Sequence, residues 1–116
     1  MTITHADLAQ FTGTETWFRH GLMPKITYTE GVQYLAEQAG AYWLIDKVAT
    51  LQLKKKIRAE EFQVWKLKVA NDKASLVCED GNDNVVYREK IEFTDFPLDE
   101  ITLWFENNVI MLPSER

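Results

Sequence analysis

Apolar positions recur with two different periods along this chain, and the change of period divides it. From about Thr29 to Leu51 no proline intervenes, and Val32, Leu35, Ala36, Ala39 and Trp43 recur at the three- and four-residue spacing that lines one side of a helix. The spacing predicts one long principal helix. Its start is open between Thr27, which would form a capping box with Glu30, and Thr29. From Ala39 to Ile45 the segment is apolar nearly all round, which predicts an enclosed second half. Gly40 within it predicts a close approach by another element. Ahead of this helix, Thr4 and Asp7 predict a capped short helix ending near Phe11, with Ile3 and Leu8 as its staple. Thr12-Gly13-Thr14 breaks it, and Glu15 to His20 reads as a short strand or extended segment.

Beyond Phe62 the period drops to two. Phe62 to Val69, Ala74 to Glu79 and Val85 to Phe93 are β-prone, separated by turns at Asn71-Asp72-Lys73 and Asp80 to Asn84, which predicts an antiparallel meander. In the third strand Val85, Tyr87, Ile91 and Phe93 are expected on one side. Residues 97 to 112 fit either a helix from Pro97 followed by a strand, or a hairpin turning at Asn107-Asn108. The hairpin is favoured because asparagine tolerates the positive φ of a tight turn. The expected fold is α+β: a short N-terminal helix and one long helix packed on a mostly antiparallel sheet of about five strands. Residues 1 to 116 form a single domain, without repeat or linker.

Charge narrows the classes of function. The chain carries 13 basic and 18 acidic residues, for a net charge of −5, so nucleic acid is repelled unless basic groups gather on one face. Lys47 to Lys68 holds seven basic residues against two acidic ones, whereas Glu79 to Glu115 holds ten acidic residues against Arg88 and Lys90. That asymmetry admits a basic partner or head-to-tail self-association. The single cysteine, Cys78, makes an intrachain disulfide impossible, and no apolar run is long enough to span a membrane. The opening residues lack the basic and apolar regions of a signal peptide, so a cytoplasmic location is expected.

The candidate chemistry is sparse. Asp46 continues the apolar stripe of the long helix, which makes it a candidate buried carboxylate, either an acid or base or a structural pair. His5 and His20 are the only histidines, and no HExxH, CxxC or glycine-rich phosphate loop occurs, so no metal or cofactor is expected. Cys78 sits in an alternating strand and reads as a buried thiol. Asp80, Asp83 and Asn84 read as a hairpin turn without EF-hand spacing. Trp65 is expected in the core while Lys66 and Lys68 face solvent.

Five strings resemble a family of short bacterial, plasmid and phage proteins known only as a domain of unknown function. They are Phe11-Thr12-Gly13-Thr14-Glu15-Thr16-Trp17, Tyr34 to Asp46, Phe62 to Leu67, Thr94-Asp95-Phe96-Pro97-Leu98 and Leu112-Pro113-Ser114-Glu115. The resemblance implies a bacterial cytoplasmic accessory protein of the kind carried by mobile DNA, and transfers no activity, cofactor or site residue.

Three readings follow. The first is a non-catalytic module that binds another protein through Trp17, Arg19, His20 and Tyr28, since tryptophan, tyrosine and arginine dominate interface energetics. The second is a nucleic-acid-binding accessory protein using the Lys54 to Lys68 stretch. The third is a small enzyme that brings Asp46, Glu37 and His20 together in a pocket.

Overall fold

The computed structural model describes residues 3–13 and 15–116; Thr14, within the expected break, lies outside them. Helix α1 (His5–Ala9) starts as its sequence predicts, with the Thr4 amide donating to Asp7 at 2.9 Å and the Asp7 amide donating to the Thr4 hydroxyl at 3.2 Å. Ile3 and Leu8 are buried beside it. Two three-residue strands follow, β1 (Trp17–Arg19) and β2 (Thr27–Thr29).

The expected long helix is two helices, α2 (Glu30–Ala39) and α3 (Tyr42–Leu51). Gly40 parts them in the left-handed region at φ 62°, and the Ala41 amide reaches back to the Ala36 carbonyl at 2.8 Å, closing a helix end that glycine adopts without steric cost. No atom stands within 4 Å of a side chain placed at Gly40, so its role is this turn and not a close approach. The close approach is at Gly31, where a Cβ would meet both the Glu115 carboxylate and Leu112 at 2.7 Å. Thr29 is the N-cap of α2, its hydroxyl accepting from the Val32 amide, while Thr27 belongs to β2.

A four-residue helix, α4 (Lys55–Arg58), leads into β3 (Phe62–Ala70), β4 (Lys73–Glu79) and β5 (Val85–Ile91), the expected meander. Strands β6 (Glu100–Glu106) and β7 (Val109–Met111) form the hairpin favoured by the sequence, with Asn107 and Asn108 both at positive φ, and a 3₁₀ turn (Pro113–Glu115) ends the fold. Asn71 and Asp72 make the same kind of turn between β3 and β4.

Seven strands, not about five, compose one sheet in the order β1-β2-β7-β6-β3-β4-β5. All pairings are antiparallel except β2 with β7. Both strands beyond the meander and hairpin are three residues long; β1 lies in the Glu15 to His20 segment read as a short strand or extended piece, whereas β2 is too short to show a period of its own. A register shift opposite Cys78 and Glu79 sends Val85 to the same face as Glu79 and leaves Val86 buried. The expected side of Val85, Tyr87, Ile91 and Phe93 is therefore broken, and Phe93 lies beyond the strand, largely exposed.

One face of the sheet packs against the helices. Trp65, Leu67, Leu76, Cys78, Leu103, Phe105 and Ile110 point inward to meet Val32, Leu35, Leu44, Ile45, Val48 and Ile57. Gln63, fully buried on β3, exchanges a reciprocal amide pair with Gln52 at 2.7 and 2.9 Å. Its amide also donates to the Ile57 and Glu60 carbonyls, and its oxygen accepts from the Trp65 indole at 2.9 Å. Gln52 adds a bond to the Val48 carbonyl, so α3, α4 and β3 are joined by a network with no unsatisfied member. At the other end of the chain, the buried Glu115 accepts from the Thr29 hydroxyl at 2.6 Å and from the Gly31 and Leu112 amides at 3.1 and 3.0 Å. That contact with α2 is the reason position 31 has no room for a side chain.

The opposite face carries no helix. Phe62, Val64, Lys66, Lys68, Ser75, Val77, Glu79, Val85, Arg88, Lys90, Glu100, Thr102, Trp104 and Glu106 share it by register.

Candidate functional site

His20 follows β1 and is only 4% exposed, not a surface histidine. The Leu22 and Met23 amides both donate to its Nδ1, at 3.2 and 3.1 Å, which assigns the ring proton to Nε2; that nitrogen donates to Asp46 at 2.8 Å. Asp46 itself is not buried: its side chain is 56% exposed. The sequence placed it in the apolar stripe by carrying one helical phase through residue 40. The break there resets the phase, so that Leu44, Ile45, Val48 and Ala49 face the core and Asp46 turns outward.

Asp46 has neighbours on the same surface. Tyr42 lies one turn before it on α3 and donates its hydroxyl to Glu37 at 3.2 Å. Tyr28, stacked on Phe18 with ring centroids 5.7 Å apart, lies near both Asp46 and Glu37. Burial and then these two carboxylates hold the Tyr28 hydroxyl above its usual pKa. Burial and the bond to Glu37 do the same for Tyr42. Leu22, largely exposed, is tied to the group through its amide, which donates to the His20 ring.

Trp17 and Arg19 do not join this group. In a strand successive side chains alternate, so Phe18 and His20 turn to the helix side while Trp17, 52% exposed, and Arg19 turn the other way. Of the four expected interaction residues the structure thus brings together His20 and Tyr28, adds Asp46, Glu37, Tyr42 and Leu22, and leaves Trp17 and Arg19 on the opposite side. Tyr42 was visible in the sequence only as part of an apolar run, and its exposure follows from the break at Gly40.

The residues of the enzyme reading do meet, since His20 bonds Asp46 and Glu37 lies nearby, yet both nitrogens of the buried imidazole are already engaged. A cleft of about 730 Å³ between the end of α3 and the β6–β7 turn is lined by Lys25, Arg58, Glu60 and Glu61 among others and by none of the three. Burial pushes the Cys78 thiol up to about 12, with Glu60, Glu79 and Asp80 adding to the effect, so it is protonated at neutral pH. Among the described residues no three His, Cys, Asp or Glu side chains converge as a metal site requires. Asp80 instead closes its hairpin, accepting from the Asn82 and Asn84 amides at 2.8 and 3.0 Å.

The basic stretch of the sequence is dispersed in space. Lys47 pairs with Glu89 on the helix side of the sheet, Lys54, Lys55, Lys56 and Arg58 surround α4, and Lys66 and Lys68 stand on the open face. There they are joined by Arg88 and Lys90, which the sequence grouped with the acidic tail.

No helix among the described residues is long and apolar enough to cross a membrane. Neither a curated protein nor a solved structure matches the chain. One family model does, over residues 2–116, and its description is a family of unknown function. The family resemblance seen in the strings around Ala39 to Asp46 thus extends over nearly the whole sequence, and the chain belongs to the DUF6876 family.

Proposed function

We propose that this protein is a non-catalytic interaction module that takes a basic segment of a partner protein on the patch formed by Tyr28, Glu37, Tyr42 and Asp46. The observation that carries this reading is the gathering of two tyrosine rings and two exposed carboxylates on one surface beside α2 and α3. Lysine and arginine are attracted both to carboxylates and to aromatic faces, and the guanidinium of arginine satisfies both at once. His20 acts here as a positioning residue. Its backbone-anchored ring holds Asp46 in one orientation and reduces the side-chain entropy lost on binding. Leu22 and Tyr42 supply exposed apolar area at the rim.

The test compares tagged wild type with the double variant Glu37→Arg/Tyr42→Ala in nuclease-treated host lysate. A protein partner retained by wild type and lost by the variant is the expected result, with unchanged circular dichroism as the control for folding. A partner held equally by both, or no partner surviving nuclease, would refute the reading.

A further inference from the structure

The open face of the sheet has a composition that the acidic chain as a whole does not. Across three adjacent strands, Lys66 is opposite Val77 and Val77 opposite Arg88; one step along, Lys68 is opposite Ser75 and Ser75 opposite Lys90. Four cations therefore frame Val77 and Ser75, and Lys73 adds a fifth at the neighbouring turn. Among the described residues only Lys66 of these five has an ion-pair partner, Glu79 at 3.0 Å. Glu100 stands opposite Lys68 on β6 and Glu79 holds Lys66, but toward β5 the row of Lys68, Arg88 and Lys90 is cationic, and like charges brought this close repel. Hollows of about 230 and 180 Å³ border Lys66 and Lys68, with Glu79 and Glu100 at their edges, and one of about 460 Å³ lies where Lys68, Lys73 and Lys90 outnumber Glu92.

Beside the cations lies an aromatic pair on the same face. Trp104 is opposite Val64, one step along β3 from Lys66, and packs edge-on against Phe62 with centroids 5.3 Å apart. The Arg116 guanidinium lies over both rings, 5.0 Å from the centroid of Phe62 and 5.5 Å from that of Trp104, tethered by Glu106 at 3.1 Å. These rings already accept a flat, delocalised group.

We infer that the open sheet face, through Lys66, Lys68, Arg88 and Lys90 with Trp104 and Phe62, binds single-stranded nucleic acid. Lys66 and Lys68 stand about 7 Å apart along β3, a row of cations suited to a chain of repeating phosphates rather than to one anion. Aromatic faces add base stacking, which an acidic peptide cannot supply. Duplex is disfavoured by shape: a helix or two-stranded ribbon enters the major groove, whereas β3 is flanked by strands on both sides. This site is separate from the tyrosine and carboxylate patch and differs from the Lys54 to Arg58 cluster.

The test is fluorescence anisotropy with a labelled mixed-sequence oligonucleotide of about 15 nucleotides. Wild type should bind at low salt, and neutralising four phosphates implies about a 50-fold loss between roughly 50 and 200 mM salt. Lys68→Glu/Lys90→Glu, both exposed positions, should weaken binding at least tenfold and lower the salt slope by about 1.4. Trp104→Leu should cost about five- to tenfold, with thermal melting to verify that it folds. Glu37→Arg/Tyr42→Ala should bind the oligonucleotide no more weakly than wild type, so the two proposals fail independently. The inference is overturned if wild type does not bind at low salt, if the double charge reversal binds normally, or if the matching duplex binds as tightly. Displacement by polyglutamate at equal charge, or full affinity in Trp104→Leu, would also overturn it, since either removes the distinction from other polyanions.

Discussion

On the helix-covered face of the sheet, polar groups are few and every one is engaged: Gln63 bonds Gln52, Trp65 and two carbonyls, and Glu115 takes three donors. On the other face, one residue along the same strands, Lys68, Arg88 and Lys90 make no ion pair among the described residues and stand beside valines, a tryptophan and a phenylalanine. A polar group without a partner is costly only where water cannot reach it. Buried polarity in this protein is accordingly committed to the fold, and the charge that remains available for recognition lies where no helix covers the sheet.

The sharpest way to break that contrast is at Gln63. Gln63→Ala orphans the Trp65 indole, the Gln52 amide and two carbonyls, and should cost about 3 to 5 kcal/mol in urea unfolding; a loss under 1 kcal/mol would mean that water replaces the network. Glu115→Ala should cost about 2 to 4 kcal/mol by removing an acceptor from three buried donors. Gly31→Ala should cost about 1 to 3 kcal/mol by overpacking against the same carboxylate. If the two effects share one cause, the double variant will lose less than their sum.

A kinetic probe comes next. With its pKa held near 12, Cys78 should react with a disulfide reagent at pH 8 no faster than the protein opens, and promptly in denaturant. Smaller still is the acid response of Glu89. Burial works to raise its pKa, but the Lys47 ammonium and the Tyr87 hydroxyl outweigh it and hold the carboxyl below its ordinary value of 4.5. A carboxylate with a lowered folded pKa stabilises above its unfolded value and loses that contribution as pH falls through the folded one. The melting-temperature gap between wild type and Glu89→Gln, present at pH 7, should therefore close in acid. Smallest of all, Lys68→Glu/Lys90→Glu should lower the urea midpoint only slightly, through the like-charge pair that the first substitution makes with Glu100 opposite it.

Legibility in the sequence followed the length of each pattern. The meander and the β6–β7 hairpin declared themselves because strands of seven to nine residues display their alternation and Asn107-Asn108 marks its turn. Strand β1 was legible only as a β-prone composition in Glu15 to His20, and β2, also three residues long, gave no period to read. The two-helix arrangement was hidden because Gly40 sits in an apolar run compatible with one helix, and its left-handed φ is a property of the backbone. That single misreading propagated to Asp46 and Tyr42, whose exposure depends on the phase after the break. Lys66 and Lys68 were legible as solvent-facing. Their meeting with Arg88 and Lys90 depends on register between strands twenty residues apart, and a charge count along the chain assigned those two residues to the acidic tail. Gln63 and Glu115 escaped notice because isolated polar residues carry no periodic signal.

The clasp of Glu115 on Thr29 and Gly31 spans more than eighty residues, and β2 finds its parallel neighbour in β7. During synthesis, then, β2 and the start of α2 hold an unfinished sheet edge and an open cap until the β6–β7 hairpin and the turn after it have emerged. Local order in α2 can form at once, but closure waits for residues 109–115. In such a topology a stalled or prematurely ended chain presents the bare edge of β2 to its neighbours, and the hazard of aggregation is concentrated in that interval.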